Sequence, residues 1–192
     1  MSNTLIDGLK ERMVNAVGMN RSVGVVLPSN NYNDLTQALF DLINEKKDAS
    51  WVYITITNPF DSLKNRFASE IDLSSVFFID CVSRAAGIQS TNDQCLFLDS
   101  PSELERLILE IINAVKTTKA NESFVVLDSL SSLVLYNDVF LVSEFFTHLM
   151  NNIRIADANT LSLCIEEEMD EALNKVLYLK NEKIIKVRES FI

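Results

Sequence analysis

Three aspartates stand where apolar runs stop: Asp80 in VFFIDC, Asp99 in QCLFLD and Asp128 in SFVVLD. Carboxylates gathered at the ends of adjoining strands make a hard-oxygen site for a divalent cation, so Asp80, Asp99 and Asp128 are the metal-ligand candidates. The competing account is structural, because an aspartate ending a buried strand also accepts bonds from neighbouring backbone donors. After the first apolar run the turn PSNNYND (28–34) offers Asn30, Asn31 and Asn33, a residue type that tolerates the left-handed backbone better than most and so can imitate an anion-holding loop. Asn58, after WVYITIT, and Ser129, after Asp128, complete the candidate ligand-binding set.

Covalent catalysis finds little support. Cys81 follows Asp80, whereas a nucleophilic thiolate wants a cationic neighbour or a histidine. The one histidine, His148, shares a helical face with Leu141 and Phe145 and reads as a partly buried packing residue. Ser129, Ser131 and Ser132 have no evident base. Glu166, Glu167 and Glu168 read as a solvated run that favours the start of the next helix through its dipole, and Arg66 and Arg84 as salt-bridging or surface cations. No catalytic residue is assigned.

The elements that must position these residues alternate regularly. Short apolar runs at 22–27 (SVGVVL), 51–57 (WVYITIT), 76–81, 94–99, 123–128, 160–165 (TLSLCI) and 183–187 (KIIKV) read as strands, the last an edge strand with its lysines facing water. Between them lie helical patterns carrying Leu35, Leu39, Leu42 and Ile43, then Leu63 and Phe67, then Leu104 to Val115, then Leu141 to Ile153, then Met169, Leu173 and Val176. Asn58-Pro59 is expected to cap one helix and Ser100-Pro101-Ser102-Glu103 to form a capping box for another. Leu5, Leu9, Met13 and Val17 predict an opening amphipathic helix, with Asn3 or Thr4 as cap, free to dock on the domain or on a partner. Residues 83–93 form a polar loop. Strands apolar on both faces that alternate with helices imply a three-layer α/β/α sandwich on a mostly parallel sheet, with ligands beyond the carboxyl ends of the strands.

Composition narrows the function classes. The chain has 192 residues and is 47% hydrophobic with 23% charged residues, which predicts one folded domain over 1–192, an N-terminal helix (1–20) ahead of an α/β core (21–192). Seventeen Lys+Arg against 27 Asp+Glu give a formal charge of −10, which repels nucleic acid and anionic membrane surfaces. Cys81, Cys95 and Cys164 lie inside apolar runs without CxxC spacing and read as buried thiols of the cytoplasm. The polar start, Met1 to Gly8, is unlike a signal peptide, and no apolar run approaches the roughly 18 residues a membrane span needs.

On these residues the chain resembles the RecA-like ATPases, the KaiC-like branch in particular, from about 22 to 188. SFVVLDSLSSLVLY (123–136) is similar to that branch's Walker B strand, WVYITITNPFDSLKNRF to its second strand and helix, and VFFIDC to its third. The resemblance implies the P-loop NTPase fold, a magnesium role for Asp128, a Walker A loop wrapping ATP phosphates, and assembly into rings or filaments through segments outside the central sheet.

The pattern breaks where phosphate would be held. A phosphate loop needs glycines so that successive N–H groups converge on the anion, and a lysine and Ser/Thr for phosphate and magnesium. PSNNYND supplies no glycine and no lysine, and Asp34 brings a like charge that repels the anion by roughly 4 kcal/mol at 4 Å and an effective dielectric of 20. Thr57 and Asn58 stand where the branch has a pair of glutamates that orient the attacking water. The expectation is therefore a catalytically inactive pseudo-ATPase with a degenerate Walker A, regulatory or scaffolding through protein contacts, with no cofactor, a protein partner or a homo-oligomer, and no nucleic acid or membrane. The opening helix and the sheet edges are the expected contact surfaces. The alternative is a sensor or enzyme holding a nucleotide (ATP or ADP) or Mg²⁺ weakly at the strand ends.

Overall fold

Runs of Val, Ile, Leu and aromatic residues with no polar alternation can be buried only between two helical layers, and the chain arranges them so. The computed structural model describes residues 2–117 and 120–187. In chain order the elements are α1 (Ser2–Met19), β1 (Ser22–Leu27), α2 (Tyr32–Glu45), β2 (Ser50–Thr55), α3 (Phe60–Phe67), β3 (Val76–Asp80), β4 (Cys95–Phe97), α4 (Leu104–Thr117), β5 (Ser123–Asp128), α5 (Val139–Ile155), β6 (Asn159–Ile165), α6 (Glu171–Lys180) and β7 (Lys183–Lys186). The seven strands form one sheet in the order β4-β3-β2-β5-β6-β1-β7, every pair parallel. The expected three-layer sandwich with its N-terminal helix is the observed architecture.

Two apolar clusters divide at the sheet. One joins Val25, Tyr53, Phe78, Val126 and Leu163 to the buried faces of α1, α2 and α3; the other joins Val52, Ile54, Ile79, Val125 and Leu127 to α4, α5 and α6. This division follows from handedness. The connections through α2 and α3 step toward β4, those through α4, α5 and α6 step toward β7, and a right-handed crossover that reverses direction must switch faces.

The opening helix is part of the fold. Leu9, Met13, Ala16 and Val17 make a stripe at helical spacing that is buried in the same cluster as Leu35, Leu39 and Leu42 of α2. Lys10 Nζ also donates to Glu45 Oε1 at 2.6 Å, and Arg12 Nη2 to the Lys186 carbonyl at 3.0 Å. Its apolar face is thus spent on the domain; the helix runs over Ser2–Met19, and the cap expected at Asn3 or Thr4 lies outside the residues whose side chains are described.

Helix starts differ from expectation at both prolines. Pro59 is itself the residue before α3, and the first helical N–H, of Phe60, is capped from another strand by Asp80 Oδ2 at 2.7 Å. Ser100 Oγ accepts from the Ser102 N–H at 3.1 Å and closes a turn, so α4 begins only at Leu104 and the predicted capping box is not formed. Asp138 and Asp170 do cap α5 and α6, accepting from the Phe140 and Ala172 N–H groups.

Met13 is wholly buried in the α1–α2 seam. Met13→Ala should cost about 2–5 kcal/mol in urea unfolding. A loss well under 1 kcal/mol would mean that α1 is not an integral layer of the domain.

Candidate functional site

Adjacent strands whose following helices lie on opposite faces leave a crevice at their carboxyl ends. Two such pairs occur, β1 beside β6 and β2 beside β5. The turns that meet there are Pro28–Tyr32 and Glu166–Glu168 at the first, and Ile56–Pro59 and Ser129–Ser132 at the second.

Asp128 ends β5 at the second crevice, in register with Thr55 of β2, and none of its surface reaches solvent. Tyr53 lies two residues before Thr55 and so on the same face of the sheet; its phenol runs up that face and donates to Asp128 Oδ2. Tyr32, in the first turn of α2, lies 2.7 and 2.8 Å from the two carboxylate oxygens. Asn58 Nδ2 donates to the Tyr32 hydroxyl at 3.1 Å, which leaves that hydroxyl's own proton for Asp128. The Asp128–Ser129 peptide is cis.

Burial pushes the Asp128 carboxyl up to about 6, against the opposing pull of the Tyr53 and Tyr32 hydrogen bonds. Both phenols are pushed above their ordinary value, first by burial and then by the Asp128 charge, so they stay protonated and donate. Chemically the group is a buried acceptor held by two phenol donors.

The first crevice is lined by the glutamates after β6; Glu166 and Glu167 are exposed, as the run suggested, and Glu168 is half-buried, but each also has a partner within the fold. Glu167 takes the N–H of Ser29 at 3.0 Å and its hydroxyl at 2.9 Å, and backbone N–H groups hold its carboxyl below the usual range. Glu168 Oε2 accepts from Ser131 Oγ at 2.9 Å and Ser132 Oγ at 2.8 Å, and Ser129 Oγ lies 2.8 Å from Ser132 Oγ. Glu166 pairs with Lys186 at 2.8 Å.

The asparagines do not shape a loop around an anion. Ser29–Asn31 is a single 3-10 turn that runs directly into α2. Among the described residues Asp157 alone, apart from glycine, has positive φ, so Asn30, Asn31 and Asn33 do not take the left-handed conformation on which such a loop depends. Asn33 points instead to Arg66, whose Nη1 donates to Asn33 Oδ1 at 3.1 Å and whose guanidinium lies 4.8 Å from the Phe67 ring.

The three aspartates do not converge. Thr55 stands in register between Asp80 and Asp128, which puts two strand spacings, about 10 Å, between their main chains. Asp80 is buried and accepts four bonds of 2.6–2.8 Å, from the N–H groups of Phe60, Val82 and Ser83 and the Ser83 hydroxyl. Asp99 is on the surface between Arg84 at 2.8 Å and Arg106 at 3.4 Å. Among the described residues no three His, Cys, Asp or Glu side chains are placed to hold a metal. Cys81, Cys95 and Cys164 are free and buried, and burial pushes all three thiols up, away from the reactive thiolate. His148 is exposed, contrary to its expected packing role, because α5 turns Leu149 and Phe145 inward and leaves 148 outside.

The residues that sequence reasoning missed are Tyr32, Tyr53, Glu167 and Glu168. One signal was present: a tyrosine inside a fully buried strand needs a partner for its hydroxyl, and Tyr53 had none nearby in sequence.

These features define a fold class first. The chain superimposes on a KaiC-like protein from Pyrococcus horikoshii OT3 with a TM-score of 0.58 and 14% identity, over 90% of this chain and 74% of that one. It also matches an uncharacterised protein from Pyrococcus horikoshii, crystallised in complex with an unknown peptide, with a TM-score of 0.71 and 12% identity over 93% of this chain and 82% of that one. A further Pyrococcus horikoshii OT3 protein gives 0.58 and 15% over 88% and 83%. The fold is therefore that of the KaiC-like proteins. By sequence, the chain belongs to a family of unknown function, DUF7504, whose model matches residues 25–177. No curated protein matches it in sequence.

Because the folded Asp128 carboxyl is raised above its unfolded value of 3.8 to about 6, the native state holds the proton more tightly. Its stabilising contribution is full below about pH 4 and is lost as pH rises through about 6, a change on the order of 3 kcal/mol. Asp128→Asn cannot ionise, and its altered bonding to the two phenols adds only a pH-independent offset. The stability of the variant relative to the native protein should therefore rise by up to about 3 kcal/mol between pH 4 and pH 7 in paired denaturant titrations. A flat difference would show that Asp128 titrates as an ordinary surface carboxyl.

Proposed function

We propose that this chain is a RecA/KaiC-like domain without ATPase activity, a pseudo-ATPase that serves as a regulatory or scaffolding protein of the cytoplasm through protein contacts. The observation that carries the reading is the closure of Asp128 by Tyr32 and Tyr53. The resemblance assigns that aspartate to magnesium, and magnesium demands octahedral oxygens and keeps several waters. A carboxylate with no exposed surface and two phenols on it does not suit such an ion.

The phosphate side fits no better. The N–H and hydroxyl of Ser29 face the crevice, and Glu167 already occupies them with a carboxylate. The turn lacks glycine and lysine, and Thr57 and Asn58 supply no base for a water. Magnesium and triphosphate therefore do not suit the residues present, and no step of hydrolysis is assigned to them. Protein contact is supported by the negative charge, which disfavours nucleic acid, and by the peptide found with one structural neighbour. Among the described residues no helix is long and apolar enough to cross a membrane.

Millimolar Mg²⁺ with ATP or ADP should leave the melting temperature unchanged. A ligand at 100 times its dissociation constant would add about 2.7 kcal/mol, or roughly 5–10 °C for a domain of this size. A magnesium-dependent rise that disappears in Asp128→Ala would overturn the reading.

A further inference from the structure

We propose that the groove between α4 and α5 is the docking site for a cationic amphipathic helix of a partner protein. The inference rests on the protein-contact reading above and names the surface and the chemistry of the partner. The groove is open and holds about 580 Å³, with Leu104 and Ile108 of α4 and Leu141 and Phe145 of α5 along its length. Leu141 is 50% exposed, Phe140 beside it in the first turn of α5 is 65% exposed, and Leu135 and Tyr136 ahead of the helix are 66% and 46% exposed. Apolar side chains scattered singly are ordinary on a surface, but an apolar groove with exposed apolar residues next to its lining in the chain is a candidate contact site.

Charge selects the occupant. Glu103, Glu105 and Glu144 border the groove, with Arg106 as the cation among them. Arg106 is spent on its own neighbours, 2.9 Å from Glu103, 3.4 Å from Asp99 and 4.0 Å from Glu110. Glu105 and Glu144 have no ion pair among the described residues, so the rim presents net negative charge. A helix that lays large apolar residues at i, i+3, i+4 and i+7 into the groove and carries Lys or Arg on its flanks meets both features. A second copy of this chain, with its formal charge of −10, matches the rim poorly.

The test uses a fluorescein-labelled helical peptide with Leu and Phe on one face and Lys on the others, and a control with the same apolar face and Glu in place of Lys. The full chain should bind the Lys peptide, read by anisotropy, and bind the Glu peptide at least about tenfold more weakly, a difference that salt should reduce. Glu105→Lys with Glu144→Lys should weaken the Lys peptide about tenfold and favour the Glu peptide, and Leu141→Asp should weaken both. All three positions are exposed, so unchanged circular dichroism and melting separate lost binding from lost folding. Equal affinity for the two peptides, no binding, or affinity indifferent to these substitutions would overturn the proposal. So would a dimer in sedimentation that dissociates in Leu141→Asp, since the occupant would then be a second copy. Failure here with no nucleotide-dependent melting shift removes the groove and leaves the pseudo-ATPase reading intact; a magnesium-nucleotide shift removes that reading whatever the peptides do.

Discussion

A carboxylate with no exposed surface in the middle of an apolar sheet is tolerated only where hydrogen-bond donors converge on it. Asp128 imposes that condition on the whole carboxyl end of this fold. The donors must arrive from β2 and from the start of α2, because those elements adjoin β5 on the face to which Asp128 points. That requirement shapes the turn after β1. Tyr32 reaches the carboxylate only because the chain enters α2 straight from a 3-10 turn, and a wider loop around an anion would carry the phenol away. The second donor is fixed by packing: the Tyr53 ring stacks on Phe40 of α2 at 5.3 Å and lies 5.5 Å from Phe78 of β3. Phe40 in turn stacks on Phe67 of α3 at 4.0 Å. The hydroxyl is held at Asp128 by an aromatic cluster that belongs to the core, so polar satisfaction and core packing here are one arrangement.

The architecture was legible because its signal is periodic and local. β1 and β5 begin and end where their apolar runs do, and the parallel sheet followed from strands without polar alternation. Boundaries failed where a residue far along the chain supplied the bond. Phe60 is capped by Asp80, twenty positions on, so Asn58-Pro59 looked like a self-contained helix start and was not. The site was legible in position and illegible in partnership. The tendency of open parallel sheets to bind ligands beyond their carboxyl ends pointed to the strand ends and to Asp128, but the hydroxyls on it come from 75 and 96 residues away. Such pairings depend on the strand order, β2 next to β5 and not to β1, which periodicity does not carry.

The glutamates after β6 show the same limit with opposite sign. As a string, three like charges suggest mutual repulsion and solvation. In the fold Glu166 and Glu167 do stay exposed, yet each of the three is drawn to a different element, Glu166 to β7, Glu167 to the turn after β1, and Glu168 to the serines after β5. The segment becomes a clasp across the carboxyl end of the sheet. Its effect on ligands is electrostatic: the donors that face the first crevice are already matched by an internal anion, and any incoming phosphate would have to displace a carboxylate tethered to the same chain.

What the fold spends internally decides what remains for contact. The α1 stripe is covered by α2, and the strand-end crevices are filled by the chain's own carboxylates and phenols. The sheet edges are short, β4 with three residues and β7 with four, and Lys183 and Lys186 stand exposed on the latter, an edge poorly suited to pairing with another chain. Of the contact surfaces expected from the resemblance, the opening helix has its apolar stripe covered by α2, and the edges offer short strands with exposed lysines on β7. The helical layer on the opposite face is different, because α4 and α5 pack on the sheet with Leu107, Ile111, Phe146 and Leu149 and still leave Leu109, Phe140 and Leu141 outside. Burying those side chains would gain what the core already gains from their inward neighbours, roughly 25 cal/mol for each Å² of apolar surface removed from water. An apolar surface that the domain does not use for its own stability is the one most able to stabilise a complex.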